Sequence, residues 1–414
     1  MVVKNGLILF AWLFSVGASL AGDWPQILGP DRNGVAVGET LLDSWPSDGP
    51  HLEWASVVGQ GFAGVAVRDD VVTIFHRVGG TEVVECRNAA TGKEIWSQSF
   101  SCDYQSGMSS DSGPRCVPVV GEKTIIVFGA NGRLRCLSRD TGKQIWFRDT
   151  WKDFSAPEGY FGAGSSPLVV DDKVLVNVGG RDNAAIVAFS MSDGGTAWRC
   201  FDDTASYSSP VLATIGGQQQ AIFVTRLNVV SVAPKNGDIV FQFPFGARGP
   251  TVNGANPVVI EDQLFVTASY RVGSAWAKVG CNPAEPVRSG ESLLASQFAT
   301  PIEHNGMLYA VDGRQDIGTA SLKCVDPHEQ KVLWEKNGFG YGTILRVNDE
   351  FLFLTHTGEL IRFAADPSEY REIARYSVLE NTDREYRLPA ISNGRLFVRG
   401  RNKLKCLRVG KVND

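Results

Sequence analysis

RDTGKQIW, residues 139–146, reads as a polar turn running into a strand that carries Ile145 and Trp146. Residues 88–96, NAATGKEIW, use the same turn and the same Trp fifty residues earlier. Weaker versions follow as GGTAW ending at Trp198, NGDIVF ending at Phe241 and EQKVLW ending at Trp334, with SGESLL and YREIARY standing where two more are due. A second signature recurs in the same register: an apolar or Pro start, a short strand, an Asn/Asp/Gly turn, then a β-branched run. VAVRDDVVTIF from Val65 is the first copy, and others begin at Pro118, Pro167, Pro210, Pro257, Pro301, Ile344 and Pro389, at spacings of 43 to 53 residues. Each copy is a hairpin by its own chemistry, because Val, Ile and Leu favour strands and Asp, Asn and Gly make the tight turn. A third strand, the TGK-type turn and a fourth strand complete the unit. Four antiparallel strands at a period in the forties make a β-propeller blade, so the sequence predicts an all-β, eight-bladed β-propeller. The Trp is expected to pack between blades.

The eighth copy ends without a fourth strand, whereas LEWASVVG at 52–59 has the strand-and-Trp pattern with no hairpin before it. The economical solution places that N-terminal strand in the last blade, which closes the ring and removes open sheet edges. The expected organisation is a secretory signal peptide at 1–21, an N-terminal extension at 22–51, the propeller at 52–411 and a tail at 412–414. The leader reading rests on Lys4, the apolar run Leu7–Val16, and Ser19 and Ala21 at the small-residue positions of a cleavage site. The run is short for a membrane span. LAGD at 20–23 has Asp23 where a lipoprotein needs Cys, so a soluble secreted or periplasmic chain is expected. Hydrophobic residues make up 43% and charged ones 21%, as in folded globular proteins rather than disordered chains. The net charge of −5 argues against nucleic acid as a partner, since phosphate contact needs clustered positive charge.

Eight such blades, the TGKxxW turn and the opening DWPQILGPDRNGV at 23–35 resemble the pyrroloquinoline quinone (PQQ)-like β-propeller repeat family, particularly its secreted bacterial members. The resemblance implies the fold, and two possible activities. One is that of outer-membrane assembly propellers: a non-catalytic binding or scaffolding module for an envelope or extracellular protein, peptide or glycan, expected as a monomer. The alternative is a quinoprotein oxidoreductase acting on an alcohol or sugar with PQQ and calcium. Alcohol-oxidising members of that group carry adjacent cysteines over the quinone, and this chain has no Cys-Cys pair. No quinone or calcium ligand carries over, so the expectation is no cofactor.

Eight cysteines in an exported chain raise the question of disulfides. Cys86, Cys136, Cys324 and Cys406 occupy one repeat position in four different blades, which predicts small core residues. Cys102 and Cys116 flank one loop and form the candidate bridge; Cys200 and Cys281 have no evident mate. The five His residues show no metal-ligand spacing, and no HExxH, GxSxG or P-loop occurs, so neither catalytic nor metal residues are assigned. Function is then sought in loops. The connections after Trp96 and Trp146 are the longest, 22 and 21 residues against 10 to 16 after Trp198, Phe241 and Trp334. They supply the candidate recognition residues Tyr104, Asp111, Arg115, Trp151, Asp153, Tyr160 and Phe161, to which Arg248 is added from a later loop. Aromatic and charged side chains in that mixture suit a sugar, peptide or protein surface. Ser165, Ser166, Ser208, Ser209, Asn256 and Thr300 precede the hairpin starts and are expected near the axis on the same side.

Overall fold

A computed structural model describes residues 22–279, 285–380 and 387–412. Within them the strands form eight sheets, each of four antiparallel strands in the predicted order. Blade one runs Ala66–Arg68, Val71–Val78, Thr81–Asn88 and Glu94–Ser101. The innermost strands are short, and their turns are made by Asp70, Asp171, Asn305, Asn348 and Asn393, all with φ near +50° to +60°. Asn and Asp tolerate this left-handed conformation better than other side-chain-bearing residues. Second and third strands are buried almost throughout, while the fourth alternates between half-buried and exposed positions.

The repeated turn and the repeated Trp prove to be two halves of one contact. Trp54, Trp96 and Trp146 donate Nε1–H to the carbonyls of Ala89, Arg139 and Met191 at 2.8 Å, and Trp198 donates to Pro234 at 3.0 Å. Each acceptor lies in the corresponding turn of the following blade. The turn glycines Gly92, Gly142, Gly194 and Gly237 have φ between +69° and +79°, and a Cβ on any of them would stand 2.5–2.7 Å from the ring of Trp54, Trp96, Trp146 or Trp198 respectively. Only glycine satisfies both the backbone and the ring. Cross-strand from these rings lie the predicted small core residues: Cys86 opposite Trp96, Cys136 opposite Trp146, Cys324 opposite Trp334 and Cys406 opposite Trp54. All four thiols are buried and free.

Blade seven has Ala374 at the Trp register position, opposite Arg362. The gap is filled from the N-terminal extension. Trp45, 7% exposed, donates Nε1–H to Val409 O at 3.0 Å. Val409 follows Cys406 by the three residues that separate Ala89 from Cys86 and Arg139 from Cys136. Arg362 lies over the Trp45 ring at 5.4 Å, and Tyr376 meets it at 5.9 Å. A residue outside the repeats thus takes the blade-to-blade place that Ala374 leaves empty.

The ring closes as expected. His51–Val57 pairs antiparallel with Lys403–Arg408, placing Trp54 opposite Cys406. Glu53 pins this seam by accepting from Arg395 Nε at 2.8 Å and Arg408 Nε at 2.6 Å. Burial pushes its carboxyl pKa up, but the hydrogen bonds from Arg408 and Arg395 outweigh that effect and hold it below the ordinary Glu range. A depressed carboxyl pKa contributes stability that is present above the unfolded value and lost as pH falls through the folded one. Glu53→Gln is therefore expected to cost roughly 1–3 kcal/mol at neutral pH, with the deficit shrinking below about pH 4.3, the ordinary Glu pKa. Urea unfolding of both proteins across that range measures it; a deficit independent of pH contradicts the assignment.

The extension also crosses the axis. Trp24 bridges Val67 of blade one, Pro25 O accepts from Val120 N of blade two, Ala36 N donates to Arg346 O of blade seven, and Glu39 accepts from Asn393 N and Gly394 N of blade eight. This path lines the end of the channel where the innermost hairpins turn. From it Arg32, 2% exposed, reaches along the axis to the carbonyls of Ser166 (3.4 Å), Pro167 and Pro210 (2.8 Å). Burial pulls its guanidinium pKa down to about 9. A buried cation held by neutral oxygens is a costly group to bring into the ring.

Candidate functional site

The two long connections lie on the opposite face, where fourth strands lead into the next blade. The second of them opens with a one-turn helix, Thr150–Phe154, whose Asp149 N-cap side chain accepts from Lys152 N. Thr150 Oγ1 donates to Gly132 O at 2.8 Å, which fixes the helix over the blade-two turn. Phe154 packs on Phe189 at 5.9 Å, leaving Trp151 half-buried toward blade three. Beyond the helix, Tyr160 reaches to Gly249 O at 3.3 Å and Phe161 N donates to Tyr207 Oη at 2.8 Å. Burial raises the Tyr207 hydroxyl pKa to about 12, so at neutral pH it stays a phenol.

Together these residues enclose a cavity of about 320 Å³ between blades two, three and four, with Trp151, Tyr160, Asn177, Tyr207, Arg226 and Glu158 on its walls. Phe128, Ala163 and Val178 add apolar lining. Asn177 stands in the second strand of blade three, Lys173–Gly180, just before a β-bulge between Asn177 and Gly180. Bulges re-aim side chains next to sites. Asn177 is 2% exposed, and neither its Nδ2 nor its Oδ1 has a hydrogen-bond partner. Arg226 donates Nη1 to Ala247 O at 2.8 Å and Nη2 to Gly249 O at 2.7 Å, so its function here is to hold the loop carrying Arg248. Glu158 is the one carboxylate among the lining residues.

Of the expected recognition residues, Trp151 and Tyr160 line this cavity, and Phe161 supports it through its edge contact with Tyr207 at 5.7 Å. Arg248 is exposed beside Gly249 at the margin. Tyr104 is not presented: it lies 4% exposed beneath Trp151, with ring centroids 6.4 Å apart. Arg115 stacks over Tyr104 and Phe62 and gives its other contacts to Gly113 O and Asp111 O. Asp111 is taken up inside the protein, accepting from Gly61 N and Gly113 N at 2.9 Å and pairing with Arg387 at 3.3 Å. Asp153 turns outward to Arg148, 2.7 Å away. The Cys102–Cys116 bridge is not formed. Cys102 is buried against Tyr104 and Ala130, whereas Cys116 sits in the core of blades two and three with its thiol toward Ser165 O at 3.4 Å. Cys200 is free and half-buried; Cys281 lies outside the described residues.

Nearer the axis, four of the polar residues that precede the hairpins prove to be staples. Val117 N donates to Ser166 Oγ, Ser166 N to Ser209 Oγ, Ser209 N to Asn256 Oδ1 and Asn256 N to Thr300 Oγ1, at 2.8–2.9 Å, linking blades two to six. Calcium is held by several oxygen ligands, carboxylates foremost. Among the described residues no three His, Cys, Asp or Glu side chains come together as a metal site, and the axial oxygens above are already bonded.

The family described as outer membrane protein assembly factor BamB matches residues 80–336. A quinohemoprotein alcohol dehydrogenase of Pseudomonas putida is 32% identical over 134 residues, 30% of this chain and 19% of that protein. The outer membrane protein assembly factor BamB of Burkholderia pseudomallei is 22% identical over 278 residues, 54% of this chain and 67% of the relative. The crystal structure of BamB from Moraxella catarrhalis superposes with a TM-score of 0.62 at 12% identity, covering 87% of this chain and 99% of that one, a likeness of fold.

Proposed function

The chain belongs to the family described as outer membrane protein assembly factor BamB, and from that premise we propose that it is a non-catalytic binding or scaffolding propeller of the cell envelope. The observation that carries this reading is the cavity between blades two, three and four. It gathers aromatic rings and a buried amide on the loop face, yet its lining holds one carboxylate and no nucleophile–base pair. Such a surface recognises without transforming. Among the described residues no helix is long and apolar enough to cross a membrane. The oxidoreductase reading draws on the quinohemoprotein relatives, of whose length the chain spans 19% and 18%.

Trp151→Ala with Tyr160→Ala tests the face. Rigid aromatic anchors of this kind contribute about 1–3 kcal/mol each on truncation, so envelope proteins or glycans captured by the wild-type chain are expected to be lost from the double variant while its circular dichroism and unfolding midpoint hold. Undiminished capture of the same partners by that variant would reject the site.

A further inference from the structure

We propose that two copies of this chain pair through the outer edge of blade one, strand against antiparallel strand about a two-fold axis at Gln98. This departs from the monomer expected from the sequence and does not depend on the binding face above. An outermost strand presents a row of unpaired N–H and C=O groups, and soluble proteins defend such edges with charged side chains, prolines or a short strand. Every other outer strand of the ring carries a charged residue or a proline, as with Glu53 in His51–Val57, Arg199 in Thr196–Cys200 and Pro244 in Ile239–Pro244. Glu94–Ser101 is the longest of them and has neither after Glu94. Among the described residues it is the last strand of its sheet.

Both ends of the free edge are marked. A β-bulge at Ile95 interrupts the ladder between Glu94 and Trp96, and Arg133 Nη1 donates to Ser101 O at 3.1 Å. Regular edge therefore runs from Trp96 to Phe100, with Gln98 at its centre. Side chains alternate between faces, so a two-fold antiparallel pair sets residues of one face against each other. Centring on Gln98 places Gln98 against its own copy, Trp96 against Phe100 and Ser97 against Ser99. A carboxamide is its own complement, since its oxygen accepts while its N–H donates. Gln98 Nε2 now reaches Ser99 O at 3.4 Å, a bond weak enough to exchange. Aromatic pairs and hydroxyl pairs are favourable cross-strand neighbours, and with no charge from Ile95 to Ser101 no like charges meet. Moving the centre to Ser99 would set Gln98 against Phe100 and bring the occupied Ser101 carbonyl into the ladder. A second copy thus fits this edge in one register.

Sedimentation velocity of the whole chain at rising concentration tests this. A contact of this size, built mostly from backbone bonds, is weak, so a reversible monomer–dimer equilibrium with a dissociation constant of about 100 μM or tighter is expected. Gln98→Lys and Gln98→Glu each put like charges at the axis and should weaken the dimer about tenfold or more, with circular dichroism unchanged. An equimolar mixture of the two variants is expected to recover the dimer, because the axis then joins opposite charges; that rescue requires Gln98 to face its own copy. A chain that stays monomeric up to about 500 μM, well above that constant, overturns the proposal and leaves the edge to a strand of another protein. So does a dimer that tolerates Gln98→Lys, or folded variants that fail to associate on mixing.

Discussion

Trp45→Ala lowers the free energy of unfolding by about 3–5 kcal/mol, the range for removing a core aromatic residue, although Trp45 belongs to no repeat. Three contacts are lost at once: the Nε1–H bond to Val409 O, the ring under Arg362 and the tilted ring contact with Tyr376. Arg362 would keep its pairing with Glu350 and its bond to Leu42 O, but would lose the ring that covers its guanidinium. The comparison that gives the measurement its force is Trp146→Ala, since Trp146 is equally 7% exposed and makes the same bond to the following blade. Urea unfolding of the two variants is expected to give losses within about 1 kcal/mol of each other, a spread common among core truncations. A Trp45 variant near wild-type stability would mean that the extension decorates the ring without completing it.

The second large effect is expected at Gly142. Its φ of +69° already disfavours any residue with a Cβ, and that Cβ would meet the Trp96 ring at 2.5 Å. Left-handed backbone costs a non-glycine residue about 1–2 kcal/mol, and forcing an extra methyl into a packed contact costs typically 1–3 kcal/mol more. Gly142→Ala should therefore destabilise by about 2–5 kcal/mol. Gly217 is the internal control: its φ is +78° and nothing lies within 4 Å of where its Cβ would be. Gly217→Ala carries the backbone cost alone, about 1–2 kcal/mol. Equal losses at both positions, read from thermal or denaturant unfolding, would show that the turn is conserved from blade to blade for its conformation and that the Trp contact adds nothing.

The propeller was legible because its signals repeat. A TGK turn or a Pro-led hairpin is weak alone, but eight copies in register leave little freedom, and the orphan strand at 52–59 then has one place to go. Trp45 carried no such signal: it stands once, between Asp43-Ser44 and Pro46, and its role depends on Ala374 more than three hundred residues away. Arg32 was hidden for the same reason. Loop length pointed to Trp151 and Tyr160, which line the cavity, yet loop composition does not say which polar residue is taken up by partners inside the protein, and that is what buries Asp111 and ties Asp153 to Arg148. Asn177 had a faint signature in VLVNVGG at 174–180, where one amide interrupts an apolar strand just before two glycines. A polar residue in a buried strand ahead of a bulge is a second sequence clue to the cavity, beside loop length.

The proposal that this family member binds rather than oxidises is tested most directly by calorimetric titration of the whole chain with PQQ in the presence of calcium. The axial staples Ser166, Ser209, Asn256 and Thr300 and the Arg32 segment lead to the expectation of no saturable heat. Saturable binding at about micromolar affinity or tighter, near −8 kcal/mol, accompanied by dye-linked oxidation of an alcohol or sugar, would contradict the account and make this propeller a quinoprotein.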